Sequence, residues 1–439
     1  MIRRALTLAL LALCCAVGTA DAQMFSARRM AMGGAVLAGG GPGSDAANVA
    51  YRAVPRIPGS AWELTLPIGL VQTLTDPPQL DPKQPDFNLY ELANLLYNPP
   101  WNLQLVSPTV PSNDVRIDVA RDRLSVDIGD VRRVFPPGQG RFGAIANGPA
   151  PGFGLRRFFV AVAPLVQYQN EMTFNDALRR VVDGEELQPG TTYTMHDDAL
   201  GQAAVGAHLG WAAPLMVSGD PRGAGQGVYA GARVKLMRGL AYAEARNVTS
   251  FTTGDPIFAA GPVDADYTGH YYQAGPDGGG FGRGLDVGAV WLARGFELGL
   301  GVNDLGTTFD WRVRESVAHR DSSGGGFVHE ALAENQPLTS TVPTTVTANA
   351  AAHVRGVLIA MDVVRGIEAV TGHLGVEAWL HDVPLRVGAL RDANQQFQFT
   401  AGSGVRLGRF GVDVAVASHS RNLTRERALE LGLGLALYR

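Results

Sequence analysis

Leu429-Glu430-Leu431-Gly432-Leu433-Gly434-Leu435-Ala436-Leu437-Tyr438 is a stretch in which every second residue is a leucine. Successive side chains of a β-strand point to opposite faces, so the leucines share one face, and glycine, alanine, Glu430 and Tyr438 share the other. A strand with lipid on one side and a packed lumen on the other has this composition. The stretch therefore predicts a strand of a transmembrane β-barrel.

The same two-residue period recurs through the second half of the chain. It is clearest in Leu285–Trp291, Phe296–Val302, Val357–Val363, Leu374–Leu380, Leu385–Ala389 and Phe410–Val416. Repeated alternation between apolar and small or polar residues indicates strands with two different faces.

Two kinds of connection separate the predicted strands. Short ones contain an arginine next to a glycine, which suits tight hairpins, at Arg238-Gly239, Arg294-Gly295, Arg355-Gly356 and Gly408-Arg409. Long polar ones include Thr249–Arg283 and Arg312–Thr344. Because outer-membrane barrels have short turns at one end and long loops at the other, we predict an all-β fold. It is a closed antiparallel transmembrane β-barrel of about 14 strands at residues 61–439, with long extracellular loops.

The first half of this region alternates less regularly. Its first strand is predicted at Trp62–Leu74, and a hairpin is predicted about Arg121-Asp122-Arg123. Tyr90–Tyr97 and Asn175–Val182 have the spacing of short helices. These helices are interpreted as part of a lid formed by outside loops, with ordinary loop helices of no function as the alternative.

Residues 1–22 have the three parts of a secretory signal peptide. Arg3-Arg4 is basic, Ala5–Val17 is apolar, and Ala20-Asp21-Ala22 fits the cleavage site. We expect Sec-dependent export to the outer membrane, with a retained anchor as the alternative. Cys14-Cys15 provides both cysteines of the chain, so we expect no disulfide, zinc–thiolate site or cysteine nucleophile in the mature protein.

The charge and composition of the chain argue against several classes of function. The formal net charge is −4 and no basic stripe is present, so nucleic acid is not an expected partner. No segment after the signal reaches the roughly 18 consecutive apolar residues of a membrane helix. The nine histidines are scattered without ligand spacing, and no residue pattern indicates an active site. We predict no metal, no cofactor and no enzymatic activity.

Residues 23–60 precede the first strand and are rich in small residues. Such a segment can pack closely inside a barrel lumen as a hatch, or it can form a flexible tail. The candidate hatch residues are Met30, Met32, Gly33, Gly34, Asp45 and Tyr51.

The motifs of this segment resemble a known family of barrels. Arg28-Arg29-Met30-Ala31-Met32-Gly33-Gly34-Ala35 and Asp45-Ala46-Ala47-Asn48-Val49-Ala50-Tyr51 are similar to the start of the FadL/OmpP1/TodX outer-membrane family. Leu298–Gly306 and Leu374–Trp379 resemble strand motifs of the same wider group, which includes PorV-like and TraF-like barrels. The chain departs from the family at Arg52-Ala53-Val54-Pro55, where Asn-Pro-Ala is usual.

The resemblance implies uptake of hydrophobic small molecules, such as long-chain fatty acids, past a hatch formed by residues 23–60. It implies three partners, namely the outer-membrane lipid bilayer, a hydrophobic ligand and the outer-membrane assembly machinery during biogenesis. A PorV-like accessory or structural barrel that binds an exported protein is the alternative. A barrel enzyme is a third hypothesis, and it requires a Ser–His pair or a carboxylate cluster on the wall.

The face opposite the apolar residues carries a set of charged and amide side chains. By the parity of their positions, the residues predicted to face the lumen are Arg233, Lys235, Asp286, Glu297, Asn303, Asp362, Glu377, Arg386, Arg406, Asp413 and Glu430. Their mixed signs predict ion pairs across the lumen of a closed or plugged barrel, whereas a wide selective pore favours one sign. Internal salt bridges with no role toward a substrate are the simpler alternative.

Overall fold

Antiparallel β-strands make up most of this computed structural model, as the alternating sequence predicts. The structure describes residues 26–35, 44–55, 61–66, 68–75, 103–106, 116–120, 123–127, 140–147, 152–257, 264–320, 327–366, 370–391, 397–418 and 428–438. The predicted signal peptide and the predicted helix at Tyr90–Tyr97 lie outside these ranges.

Twenty strands lie within the described ranges. In chain order they are β1 (Ala61–Leu66), β2 (Leu103–Val106), β3 (Arg116–Ala120), β4 (Arg123–Asp127), β5 (Gly140–Asn147), β6 (Gly152–Leu155), β7 (Phe158–Phe174), β8 (Thr192–Ser218), β9 (Gln226–Thr252), β10 (Asp264–Ala274), β11 (Phe281–Ala293), β12 (Phe296–Arg320), β13 (Phe327–Thr341), β14 (Thr345–Val354), β15 (Val357–Arg365), β16 (Val370–Leu380), β17 (Val383–Arg391), β18 (Phe397–Leu407), β19 (Phe410–Ser418) and β20 (Ala428–Tyr438). β3 and β4 form the hairpin that the sequence predicts, and the other eighteen strands form one sheet.

The helices of the described residues are short. They are α1 (Ala27–Ala31), α2 (Ser44–Ala47), α3 (Ile68–Thr75) and α4 (Asp176–Val182), with 3₁₀ turns at Val49–Arg52 and Pro276–Gly278. None of these helices is long and apolar enough to cross a membrane.

Two of these helices bear on the sequence predictions. α4 confirms the helix predicted at Asn175–Val182, and the Asn175 side chain caps it by accepting a hydrogen bond from the Leu178 amide at 2.9 Å. α3 shows that the strand predicted at Trp62–Leu74 is wrong in its second part. Ile68, Val71 and Leu74 recur every third residue, which suits one side of a helix better than one face of a strand.

Strands occupy the sheet in the order of the sequence. Four positions hold two consecutive strands in line, namely β1 with β2, β5 with β6, β10 with β11 and β13 with β14. The eighteen strands therefore fill fourteen positions, and every pairing is antiparallel. β1 and β2 lie end to end beside β20 at one edge of the sheet, and β5 and β6 lie end to end beside β7 at the other edge. Among the described strands, no pairing joins these two edges to each other.

Short turns join the strands at one end of the sheet, called here the turn end. They include the predicted turns Arg294-Gly295, Arg355-Gly356 and Gly408-Arg409. The turn predicted at Arg238-Gly239 is wrong, because β9 continues through it. Glycine is needed there for a different reason, since a Cβ atom on Gly239 would lie 2.5 Å from the ring of Trp311.

At the opposite end, called the loop end, β8, β9, β10, β12 and β13 extend beyond the other strands of the sheet. We call this extension the crest. The segments predicted as loops, Thr249–Arg283 and Arg312–Thr344, are mostly strands of this crest, so that prediction is wrong. In the upper part of the crest both faces carry polar side chains, as the adjacent Asp197 and Asp198 of β8 show. A strand without an apolar face has no alternation that the sequence could reveal.

The outer face of the sheet is apolar over a limited height. Leu300 and Val387, for example, are 51% and 57% exposed. Exposed aromatic residues lie at both limits of this band, with Phe158, Phe296 and Phe410 near the turn end and Tyr168, Phe281 and Phe397 toward the loop end. Phe158 and Tyr168 mark both limits on one strand, ten positions apart on β7.

Candidate functional site

The N-terminal segment lies against the inner face of the sheet as two arms. The first arm is residues 26–35 and contains α1; the second arm is residues 44–55 and contains α2 and the first 3₁₀ turn. Ser26 caps α1, and Gly33 and Gly34 end it with left-handed backbone angles of 64° and 83°. The arm is thus a single helical turn that stops at two glycines.

Three wall glycines allow the first arm to lie directly on the sheet. A Cβ atom on Gly375, Gly388 or Gly402 would lie 2.5, 2.2 and 2.4 Å from atoms of Met32, Gly33 and Ala31 respectively. These glycines sit on the adjacent strands β16, β17 and β18, and Gly375 pairs with Gly388. We call this depression the first cradle.

Polar side chains fix the backbone of the first arm in its cradle. Thr400 accepts a hydrogen bond from the Gly33 amide at 2.9 Å and donates one to the Ala31 carbonyl at 3.0 Å. Nδ1 of His373 lies 2.9 Å from the Gly33 carbonyl oxygen. The buried backbone groups at the end of α1 are thereby satisfied.

A charged cluster joins the first arm to four strands. Arg28 donates from Nε and Nη2 to the two carboxylate oxygens of Glu377, at 2.8 and 2.9 Å. Arg386 donates to the same carboxylate at 2.7 Å and also to Asp413. Nη1 of Arg28 lies 3.8 Å from Glu63 on β1. The Glu377 carboxylate raises the pKa of Arg28 above its usual value, so this guanidinium stays charged.

The second arm occupies a second cradle on β9, β11 and β12. A Cβ atom on Gly231, Gly288 or Gly301 would lie 3.0, 2.0 and 2.4 Å from atoms of residues 47–50. The three glycines are direct cross-strand neighbours in the sheet. The contacts that hold this arm are mainly uncharged: Asn48 donates to the Ala289 carbonyl at 3.1 Å, and Asn303 donates to the Ala47 carbonyl at 2.8 Å.

The end of the second arm meets a buried carboxylate. The Tyr51 hydroxyl donates to Glu297, and Asn349 donates to the same hydroxyl at 2.6 Å. Burial, together with the nearby Glu297 carboxylate, raises the pKa of the Tyr51 phenol well above its usual value. Tyr51 therefore remains a hydrogen-bond donor at ordinary pH.

A further charged cluster lies on the wall near the second arm. Lys235 reaches Asp286 at 3.0 Å and Asp304 at 2.8 Å, while Arg233 reaches Asp286 at 2.6 Å. Asp304 has a left-handed φ of 57°, and its amide donates to Asp286 at 2.8 Å. The register of β11 and β12 shifts at this point, so the bulge brings a second carboxylate to Lys235.

The predicted lumen-facing residues separate into two groups. Nine are buried, namely Arg233, Lys235, Asp286, Glu297, Asn303, Asp362, Glu377, Arg386 and Asp413. Arg406 and Glu430 are only half-buried, and the Arg406 guanidinium lies 4.6 Å from the centre of the Tyr438 ring. The ion pairs described for these residues run between nearby strands or to the N-terminal segment, whereas the sequence predicts ion pairs across the lumen. In these pairs neighbouring strands bring the opposite charges together.

The candidate hatch residues are less uniform in position. Met30, Met32, Gly33, Gly34 and Tyr51 are buried. Asp45 is half-buried and pairs with Arg52 of the same arm at 3.1 Å. The sequence reasoning missed Arg28, Asn48, Thr400 and Arg222, although the first two lie within the motifs that carry the family resemblance. Parity on β18 would have found Thr400, but no sequence signal marks Arg222.

An apolar cluster covers the inner face between the arms and the loop end. It consists of Leu165, Ala204, Met237, Tyr242, Phe309, Trp311, Val313 and Val342. The ring centres of Tyr242 and Phe309 lie 5.2 and 5.8 Å from that of Trp311. The Trp311 indole donates to Ser340 at 2.8 Å, and Ser340 donates to Gln202 at 2.6 Å. The cluster thus presents apolar surface with its polar atoms paired.

Within the described residues, no group of three or more histidine, cysteine or carboxylate side chains is placed to hold a metal ion. The site consists of two glycine cradles, two charged clusters and an apolar cluster. These groups offer ion pairs, hydrogen bonds and apolar surface.

The sequence matches no protein-family model and no curated protein. Similar solved structures include two of the Pseudomonas putida toluene transporter TodX. The first has 8% identity, a TM-score of 0.27 and coverage of 69% of this chain and 89% of that chain. The second has 9% identity, a TM-score of 0.25 and coverage of 70% and 89%.

A mutant of the Rh. blastica porin is also similar, with 8% identity, a TM-score of 0.21 and coverage of 64% of this chain and all of that chain. Such low similarity supports no argument about fold or function. The architecture described above rests on the strand pairing of this chain.

Proposed function

We propose that this protein is a closed outer-membrane β-barrel that takes up hydrophobic small molecules, with residues 23–60 as a hatch in its lumen. The observation that carries the proposal is the reach of the N-terminal segment. Arg52 of the second arm lies over Phe159 on β7, and Arg28 of the first arm pairs with strands as far as β1. A sheet that contacts one short segment near both of its edges curves around that segment.

The outer face supports a membrane location. Apolar side chains cover a band bounded by aromatic residues, and such girdles mark the two interfaces of membrane barrels. The ten positions between Phe158 and Tyr168 match the roughly 9–11 residues that a tilted strand needs to cross the hydrocarbon. Above this band the upper part of the crest carries polar side chains on both faces, which suits a part that stands in water outside the cell.

The inner face supports the uptake of an apolar solute. The apolar cluster around Trp311 lies on the loop side of the two arms, because β12 runs from the turn end through Asn303, which contacts the second arm, to Trp311. A solute entering from outside would meet this cluster first and the hatch second. In this proposal the protein binds and passes its ligand without catalysing a reaction.

The test is the conductance of the purified protein in planar bilayers. Deletion of residues 23–60 is expected to raise single-channel conductance above that of the full chain, since both cradles would be empty. Unchanged conductance would contradict the hatch. Mass spectrometry of the purified full chain adds a second readout: a bound hydrophobic compound is the expected result, and a co-purifying exported protein in its place would favour an accessory barrel.

A further inference from the structure

Arg222 reaches the N-terminal segment from a turn and not from the wall. It lies in the connection between β8 and β9 at the turn end. Asp220 shapes this connection: its side chain accepts from the Arg222 amide at 3.1 Å, and its carbonyl accepts from the Gly225 amide at 2.7 Å. The next turn is tied to it, since the Arg294 amide donates to the Gly225 carbonyl at 3.2 Å. Arg222 is thus presented on an ordered turn.

The guanidinium of Arg222 makes two contacts under the second arm. Its Nη1 donates to Glu297 at 2.7 Å, and its Nε donates to the carbonyl of Pro55 at 3.0 Å. Glu297 is 1% exposed and also accepts from Tyr51. Arg222, Glu297 and Tyr51 therefore form a chain from a turn, through the wall, to the arm.

The two arms are held by different kinds of contact. The first arm has a two-pronged charged pair with Glu377, which Arg386 shares. Apart from the chain through Arg222 and Tyr51, the charged contacts between the wall and the second arm in the described residues are two. Arg233 lies 3.4 Å from the Ala46 carbonyl, and the Arg52 guanidinium lies 4.0 Å from the centre of the Phe159 ring. The hydrogen bonds from Asn48 and Asn303 are amide-to-carbonyl bonds, which are weaker than charge-assisted ones. Moreover, Nη2 of Arg222 is buried without a hydrogen-bond partner among the described residues.

From this difference we propose that Arg222, with Glu297, is a latch that keeps the second arm in its cradle, and that its release frees the second arm while the first stays docked. The inference deepens the proposed function, because it assigns control of the hatch to a turn at the end opposite the crest. It predicts a hatch that opens in part and remains anchored by Arg28.

The experiment uses two cysteine reporters and a membrane-impermeant maleimide. Ala50→Cys reports on the second arm and Ala31→Cys on the first, and both positions are fully buried. Each reporter is combined with Arg222→Ala or with the matched control Arg409→Ala, an exposed arginine in another turn of the same end. Both native cysteines lie in the predicted signal peptide, so each reporter chain is prepared from residue 23 onward and has no other cysteine.

With Arg222→Ala, labelling at residue 50 is expected to accelerate on the order of tenfold, because loss of one charged hydrogen bond shifts an opening equilibrium by about that factor. Labelling at residue 31 is expected to stay slow, and Arg409→Ala is expected to change neither. Glu297→Gln provides an independent variant with the same expectation. Folding of each variant is checked by its electrophoretic migration before and after boiling.

Three outcomes overturn the latch. In the first, labelling with Arg222→Ala stays slow at both reporters. In the second, it accelerates equally at both. In the third, Arg409→Ala accelerates labelling as much as Arg222→Ala does. Conductance separates this failure from that of the proposed function. If deletion of residues 23–60 raises conductance and Arg222→Ala frees neither arm, the hatch proposal is kept and the latch proposal is rejected. If the deletion has no effect on conductance, the hatch proposal itself is rejected.

Discussion

The Nε atom of Arg28 lies 2.8 Å from a carboxylate oxygen of Glu377, a residue 349 positions further along the chain. A second bond of 2.9 Å from Nη2 completes a planar two-pronged pair, which fixes orientation as well as distance. Arg386 shares the carboxylate, so one anion holds both the wall and the arm.

Replacing Arg28 by alanine should loosen the first arm and leave the wall intact. Glu377 is not left without a cation, because it still shares Arg386 with Asp413, and we expect the free energy of unfolding to fall by about 1.5–3 kcal/mol. Urea unfolding in lipid vesicles measures this change, and planar bilayers should show raised conductance. Arg180→Ala, on the exposed surface of α4, is the control and should change neither. Equal effects of the two variants would exclude a specific role for Arg28.

The first cradle can be filled one carbon atom at a time. Gly388→Ala places a Cβ atom 2.2 Å from the Gly33 amide, so the arm must move, and conductance should rise. Gly372→Ala on the neighbouring strand meets nothing within 4 Å and should behave as the unaltered chain. Similar conductance in both variants would show that the first arm does not lie on Gly388.

Two leucines of equal exposure test the position of the membrane. Leu300 and Leu332 are 51% and 50% exposed, but the first lies in the apolar band and the second on the crest. Leu300→Arg should cost about 2–4 kcal/mol of unfolding free energy in lipid vesicles, whereas Leu332→Arg should cost about 0–1 kcal/mol. If the two costs are equal, the outer face of β12 does not lie in lipid.

The apolar cluster should accept a small guest once Trp311 is removed. Trp311→Ala should lower the free energy of unfolding by about 3–5 kcal/mol and leave an apolar cavity. Because such cavities stay dry and bind benzene, added benzene should restore part of the loss. Trp291→Ala, on the outer face, leaves no enclosed cavity and should show no rescue. If benzene stabilises Trp311→Ala no more than it stabilises Trp291→Ala, the cluster collapses around the gap.

Many strands of the sheet can be predicted from the alternation of apolar residues with small or polar residues. Leu298, Val363 and Val414 show the period because one face of each strand meets an apolar surrounding and the other does not. The upper part of the crest lacks this asymmetry, so the sequence of Thr249–Arg283 indicates a loop where the structure has strands. Arg238-Gly239 has the residues of a turn, but long-range packing against Trp311 decides its conformation.

The wall residues that bind the two arms are harder to predict from the sequence. Parity places Glu377 and Arg386 on the inner face, but the identity of their partner depends on how the arm descends into the cradle. Arg222 lies in a polar turn, where an arginine ordinarily points into water. Only the fold brings it within 3.0 Å of the Pro55 carbonyl.

The separation between Arg28 and Glu377 has a consequence for the order of assembly. The first arm is synthesised before every strand that receives it, and β1 likewise pairs with β20, the last strand. Contacts of such long range form slowly, because a long loop must close before they are gained. A chain halted before β16 would have an arm with nowhere to dock. The docked arm is therefore a marker of complete synthesis.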